Sequence, residues 1–149
     1  MRRLRRLRDE EGATLVEFAL CSVVLFMSLF GIIGLCGALY SYNFVSDAAQ
    51  RATRYAIVRG SACNPTGFTN CPVTSAEIQT YVQNLGYPGI IPGNLTAAAS
   101  WSGSNSPSNA PGNTVTVTVT YSYPLNIPFW PSSGSLLSLH STSHMTISQ

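Results

Sequence analysis

Phe18-Ala19-Leu20-Cys21-Ser22-Val23-Val24-Leu25-Phe26-Met27-Ser28-Leu29-Phe30-Gly31-Ile32-Ile33-Gly34-Leu35-Cys36-Gly37-Ala38-Leu39-Tyr40 runs for 23 residues without a charge, and only Ser22 and Ser28 interrupt its apolar character. Coiled as a helix it spans about 34 Å, enough to cross a hydrocarbon layer of about 30 Å with some tilt. It is apolar on every face, which argues against an amphipathic helix lying on a soluble core. A single membrane span is the expectation, and the rest of the chain is read outward from it.

The flanks set its direction. Arg2, Arg3, Arg5, Arg6 and Arg8 precede the run, and the next basic residue after it is Arg51. This asymmetry predicts a cytoplasmic N-terminus and an exported remainder. A cleaved secretory signal is the competing reading, but its apolar region holds about 7–15 residues before small residues at the cut. Here the run is longer, and it continues past Cys36-Gly37-Ala38 into Leu39 and Tyr40. Glu17 stands against the inner edge of the span. A carboxylate held within a bilayer costs a few kcal/mol and usually has a partner. The other reading leaves its head in water at the cytoplasmic interface.

Beyond the span, Asn43 to Ala56 contains neither Gly nor Pro, so the helix is expected to continue to about Val58 and stop at Gly60. Asp47 and Arg51 fall at i, i+4 with the acid first, a weakly favourable pairing. Two segments then carry a resemblance. Glu11-Gly12-Ala13-Thr14-Leu15-Val16-Glu17-Phe18 resembles the processing site of type IV prepilin-like proteins, where a basic leader ends in Gly and the fifth mature residue is Glu. With Gly12-Ala13-Thr14-Leu15-Val16-Glu17-Phe18-Ala19-Leu20 at the start and Ala49-Gln50-Arg51-Ala52-Thr53-Arg54-Tyr55-Ala56 at the far end, the chain resembles the TadE-like family. Gln50 departs from the commoner Ala-Arg start of the second segment, so no specific role is assigned to Arg51 or Arg54.

The resemblance implies a non-catalytic minor pilin, or pseudopilin, of a tight-adherence pilus, taking part in pilus assembly and surface attachment. A prepilin peptidase would cut between Gly12 and Ala13, making Glu17 the fifth residue. Glu17, with Phe18 beside it, would then pair with the freed amine of a neighbouring pilin-like subunit in the bacterial inner membrane. The alternative from another class is a membrane-anchored periplasmic binding or sensory domain that keeps its leader.

The remainder reads as a small α+β domain. Thr74-Ser75-Ala76-Glu77 matches a capping box, followed by a short helix through Ile78, Tyr81, Val82 and Leu85 that is expected to end at Gly86. Thr114 to Tyr123 alternates without error, with Val115, Val117, Val119, Tyr121 and Tyr123 on one face, and predicts a half-buried strand. Leu95 to Trp101 gives a weaker strand. Leu137 to Ile147 gives another, with Leu139, Met145 and Ile147 sharing a face that Ser141 and Ser143 interrupt. Ser102 to Asn113 reads as a flexible loop. Pro-rich Pro124 to Pro131 carries Phe129 and Trp130, which either fold over the sheet edge or face another subunit.

Composition excludes more than it assigns. The basic residues are eight Arg and no Lys, and from Ser61 to Gln149 the only formal charge is Glu77. Nothing there neutralises phosphates, so a nucleic-acid surface is not expected on the exported part. An enzyme is not expected either, because Glu77 already has a capping role and His140 and His144 have no visible partner. Four residues along a strand separate those histidines by about 13 Å, too far to share a metal. Cys63 and Cys71 flank a Pro/Gly/Asn loop without a nearby His, which suits a disulfide in an oxidising compartment rather than zinc. Cys21 and Cys36 would lie about 22 Å apart on a helix and are read as small apolar residues. No cofactor is implied. Residues 1–12 are thus read as a cytoplasmic leader, 13–59 as a membrane-spanning and extended helix, and 60–149 as an exported domain. The expected fold is α+β, with the long helix, one short helix and an antiparallel sheet of three or four strands.

Overall fold

A computed structural model describes residues 2–67, 70–124 and 136–148, with side chains from Gly12 onward except that of Leu136. One long helix, α1 (Arg2–Ile57), leads into a short helix, α2 (Ser75–Gln83), and three strands, β1 (Leu95–Ser102), β2 (Thr114–Pro124) and β3 (Leu136–Thr146). The strands form one antiparallel sheet in the order β1-β2-β3. The fold is α+β, and of the three or four strands expected there are three among the described residues.

Each element ends where its sequence makes continuation costly. α1 stops at Ile57, where Arg59 N–H donates to Ala56 O at 3.1 Å and buried Gly60 follows. Thr74 caps α2. Its hydroxyl accepts from Glu77 N–H, and the Glu77 carboxylate accepts from Thr74 N–H at 2.7 Å. Such a cap is worth about 1 kcal/mol. α2 ends at Gln83, short of the expected Gly86. Asn84 N–H donates to Thr80 O and Leu85 N–H to Val82 O, which tightens the last turn before Gly86 swings the chain away at φ 64°. Leu85 therefore packs from the connection and not from the helix.

The core lies between the sheet and the C-terminal part of α1. Val115, Val117, Val119 and Tyr121 of β2 are all buried, alternating with half-exposed Thr residues as the sequence demands. α1 crosses β2 and β3 with Ala48, Ala49, Ala52 and Ala56, while Ile78 and Val82 of α2 reach the same core beside β1. Each large side chain buried there contributes roughly 1.5–3 kcal/mol.

β3 explains its own irregular pattern. Ser141 and Ser143 share the inward-facing parity of Leu139, Met145 and Ile147. Opposite them α1 presents alanines and Thr53, whose hydroxyl donates to Ala49 O at 2.8 Å and approaches Ser143 O at 3.4 Å. Small residues on both sides let backbones approach closely. The serines are therefore spacers for the helix and not breaks in the strand.

The connections are tied down individually. Cys63 and Cys71 form a disulfide with their Cα atoms 6.0 Å apart, closing the loop after α1. Val73 N–H donates to Arg59 O at 3.0 Å at the base of that loop. The 102–113 connection, expected to be flexible, is instead organised around buried Asn113. Its amide donates to Asn105 O at 2.8 Å and Ser108 O at 2.9 Å, and its carbonyl accepts from Asn105 N–H at 3.1 Å. Phe129 and Trp130 lie outside the described residues.

Candidate functional site

Two regions of α1 are candidates for function, and they sit at opposite ends. The first is the apolar segment. From Gly12 to Ile57 the helix is long and apolar enough to cross a membrane, and its most apolar part is left unburied by the rest of the fold. Val16, Phe18, Leu20, Leu25, Phe26, Ile32 and Ile33 all stand out from the helix. In water such a surface would drive aggregation; in lipid it is the stable arrangement.

Gly12, Ala13, Glu17 and Phe18 occupy the N-terminal end of this segment. All four are exposed, and all lie within the continuous helical run of α1. Ala13 and Glu17 are one turn apart and share a face. A side chain built at Gly12 would meet nothing. Glu17 has no ion-pair partner among the described side chains.

The second region is the C-terminal end of α1, which carries Arg51 and Arg54, with Arg59 just beyond it; these are the only Arg or Lys residues after the apolar segment. Asp47 organises it. Its carboxylate accepts from Arg51 Nε at 2.7 Å and from the Tyr87 hydroxyl at 2.7 Å. The Tyr87 hydrogen bond, chiefly, and the Arg51 guanidinium hold the Asp47 carboxyl below the usual carboxylate range. The same bond pushes the Tyr87 phenol up. One turn further, Tyr55 stacks on Tyr81 of α2 with ring centroids 4.2 Å apart, and the Arg59 guanidinium lies 3.8 Å over the Tyr55 ring. Asp47, Arg51, Arg54, Tyr55, Arg59 and Tyr81 line an open groove of about 490 Å³.

The Asp47–Arg51 spacing is visible in the sequence, but the tyrosines are not. Tyr87 is 40 residues from Asp47, and only the return of the chain after α2 brings them together. Because the folded Asp47 carboxyl is depressed, its contribution to stability is present at neutral pH. It begins to decline near the unfolded value of about 4 and is lost as pH falls through the lower, folded value. Tyr87→Phe is therefore expected to lower the melting temperature slightly at pH 7, and the gap to the wild type to narrow by pH 3. Thermal melts at both pH values check this.

The remaining sequence candidates stay apart from these regions. His140 and His144 are exposed on the outer side of β3, opposite Thr120 and Thr116. Cys21 and Cys36 are free and exposed on the apolar segment. Among the described residues no group of three or more His, Cys, Asp or Glu is arranged to hold a metal ion. Glu77 is occupied by its capping bonds.

Comparison with protein-family models finds a similarity that falls on the helix. Residues 12–54 match the family model described as TadE-like protein. The match begins at Gly12, contains Glu17, and ends at Arg54 in the basic groove. No curated protein and no solved structure matches the chain.

Proposed function

Taking residues 12–54 as TadE-like and therefore associated with a tight-adherence pilus, we propose that this chain is a non-catalytic minor pilin or pseudopilin. It resides in the bacterial inner membrane with its N-terminus in the cytoplasm and its sheet domain outside. A prepilin peptidase removes the leader after Gly12, and the mature helix inserts among the helices of other pilin-like subunits. There Glu17 meets the new amine of Ala13 on a neighbour, which fixes the axial register between subunits.

The observation that supports this most is the placement of Glu17. It is an exposed carboxylate on an uncovered apolar helix, four residues beyond Ala13 and within the family match. A fully solvated role would not need so long an apolar surface after it. The helical run through Gly12 adds a requirement, since a peptidase must unwind the first turns to reach the bond. Gly12 weakens the helix there by about 1 kcal/mol relative to Ala.

A second reading, a permanently anchored binding domain, is favoured by the groove of Arg51, Arg54 and Arg59, which suits an anionic ligand. Intact mass of the protein from its own membranes, with and without thiol reduction, separates the two. A chain starting at Ala13, and gaining two hydrogens on reduction, is the expected result. A chain that keeps Gly12 and its leader overturns the pilin reading and leaves the anchored domain.

A further inference from the structure

The folded domain does not begin where the apolar run ends; it overlaps it. Gly37 faces the phenol of Tyr123 so closely that a Cβ would collide with the Tyr123 oxygen. Ala38 and Ser41 are buried, and the Tyr40 hydroxyl donates to Pro88 O at 3.2 Å. The expected span, Phe18 to Tyr40, therefore loses its last turn to contacts with the domain. What remains bare, from Glu17 to Cys36, is 20 residues, or about 30 Å, which is the thickness of a hydrocarbon core.

Around the point where α1 leaves the domain stand Tyr40, Tyr42, Ile91 and Leu137, each between 43% and 51% exposed. Their common location follows from the fold. Leu137 pairs with Tyr123, which touches Gly37, and Ile91 N–H donates to the hydroxyl of Tyr121. No Asp, Glu, Lys or Arg follows Tyr87, and His140 and His144 lie on β3, so the loops at this end carry no charged side chain. Tyrosines and aliphatic side chains without charge are what a membrane–water interface accepts.

We propose that this end of the domain is a lipid-docking surface, seated on the bilayer interface by Tyr40, Tyr42, Ile91 and Leu137, and that it sets the depth of α1. The partner is the phospholipid surface itself, continuous with the lipid around the helix. This rests on the membrane-spanning reading of α1. With the domain resting on one interface, 20 bare residues bring Glu17 to the opposite edge of the hydrocarbon, next to the Gly12–Ala13 bond. The folded domain thereby acts as a stop that holds the processing site at a fixed height.

The test uses the full chain in phosphatidylcholine–phosphatidylglycerol vesicles, with Cys21 and Cys36 changed to Ala. Single cysteines at Ile91, Leu137, Thr118 or Leu25 carry an environment-sensitive fluorophore, read against lipids bearing shallow or deep nitroxides. Labels at 91 and 137 are expected to be quenched by shallow nitroxides at least about twofold more than the label at 118, as interface residues are. The label at 25 reports deep quenching. Introducing Ile91→Asp and Leu137→Asp together should shift the depth read at position 25. Rim labels no better quenched than position 118, with position 25 still deep, overturn the docking surface while leaving the span intact. Loss of deep quenching at position 25 overturns the span and the docking with it.

Discussion

Val117→Asp is expected to unfold the domain beyond α1. Val117 is fully buried at the middle of the central strand, paired with Ala99 on one side and Ser143 on the other, beneath the alanines of α1. None of these neighbours carries a positive charge. An isolated carboxylate there has neither water nor a counter-ion, and such substitutions fall in the exceptional class above about 4 kcal/mol. A domain of this size has about 5–15 kcal/mol in total. Circular dichroism should lose its strand contribution while the helical signal of the apolar segment persists, and limited proteolysis should cut between Ser61 and Gln149. Thr118→Asp is the control. Its hydroxyl lies on the other face of the sheet, 3.0 Å from that of Thr142 in a contact open to solvent. The cost there should stay within about 1 kcal/mol. If both variants remained folded alike, the placement of the core on the Val117 face would be wrong.

The second large effect is functional and leaves the fold alone. Glu17→Ala should keep the melting temperature within experimental error, because the side chain is exposed and the domain is built elsewhere. Under the pilin reading it should reduce incorporation into filaments by about tenfold to a hundredfold, the loss of a charge pair worth a few kcal/mol in an apolar setting. Glu17→Gln should fail nearly as badly, since it restores size and not charge. Quantifying the chain in sheared filaments against the membrane fraction gives the answer. Normal incorporation of both variants would remove Glu17 from assembly, even if Gly12 is cleaved.

How much was legible in the sequence depended on how local the cause was. The β2 alternation and the Thr74–Glu77 cap are decided within ten and four residues, and both appear where their residues predict. The long helix was equally plain from composition. Contacts between distant segments were not. Ser141 and Ser143 look like errors in a strand until α1 is seen to present alanines above them. The 102–113 loop is rich in residues that favour disorder, yet a single buried amide, Asn113, satisfies enough backbone groups to order it. At the site, the Asp47–Arg51 pair is written in the i, i+4 spacing. The Tyr87 bond that reinforces it, and the Tyr55–Tyr81 stack beside it, need the chain to return after α2. The overlap between the apolar run and the domain was also hidden, because hydropathy does not distinguish a residue facing lipid from one facing Tyr123.

The alanine seam has a mechanical consequence. Ala48, Ala49, Ala52 and Ala56 touch the sheet through methyl groups that have no rotamers, and the Thr53 hydroxyl adds a fixed contact. A seam of long side chains could absorb a small twist by repacking; here, among the buried core residues of α1, only Phe44 and Val45 could do so, and the four alanines cannot. The same helix continues without a break into the apolar segment. A rotation or axial displacement of α1 would therefore pass to the sheet with little slack, the apolar segment acting as a shaft and the domain as the piece fixed to its end.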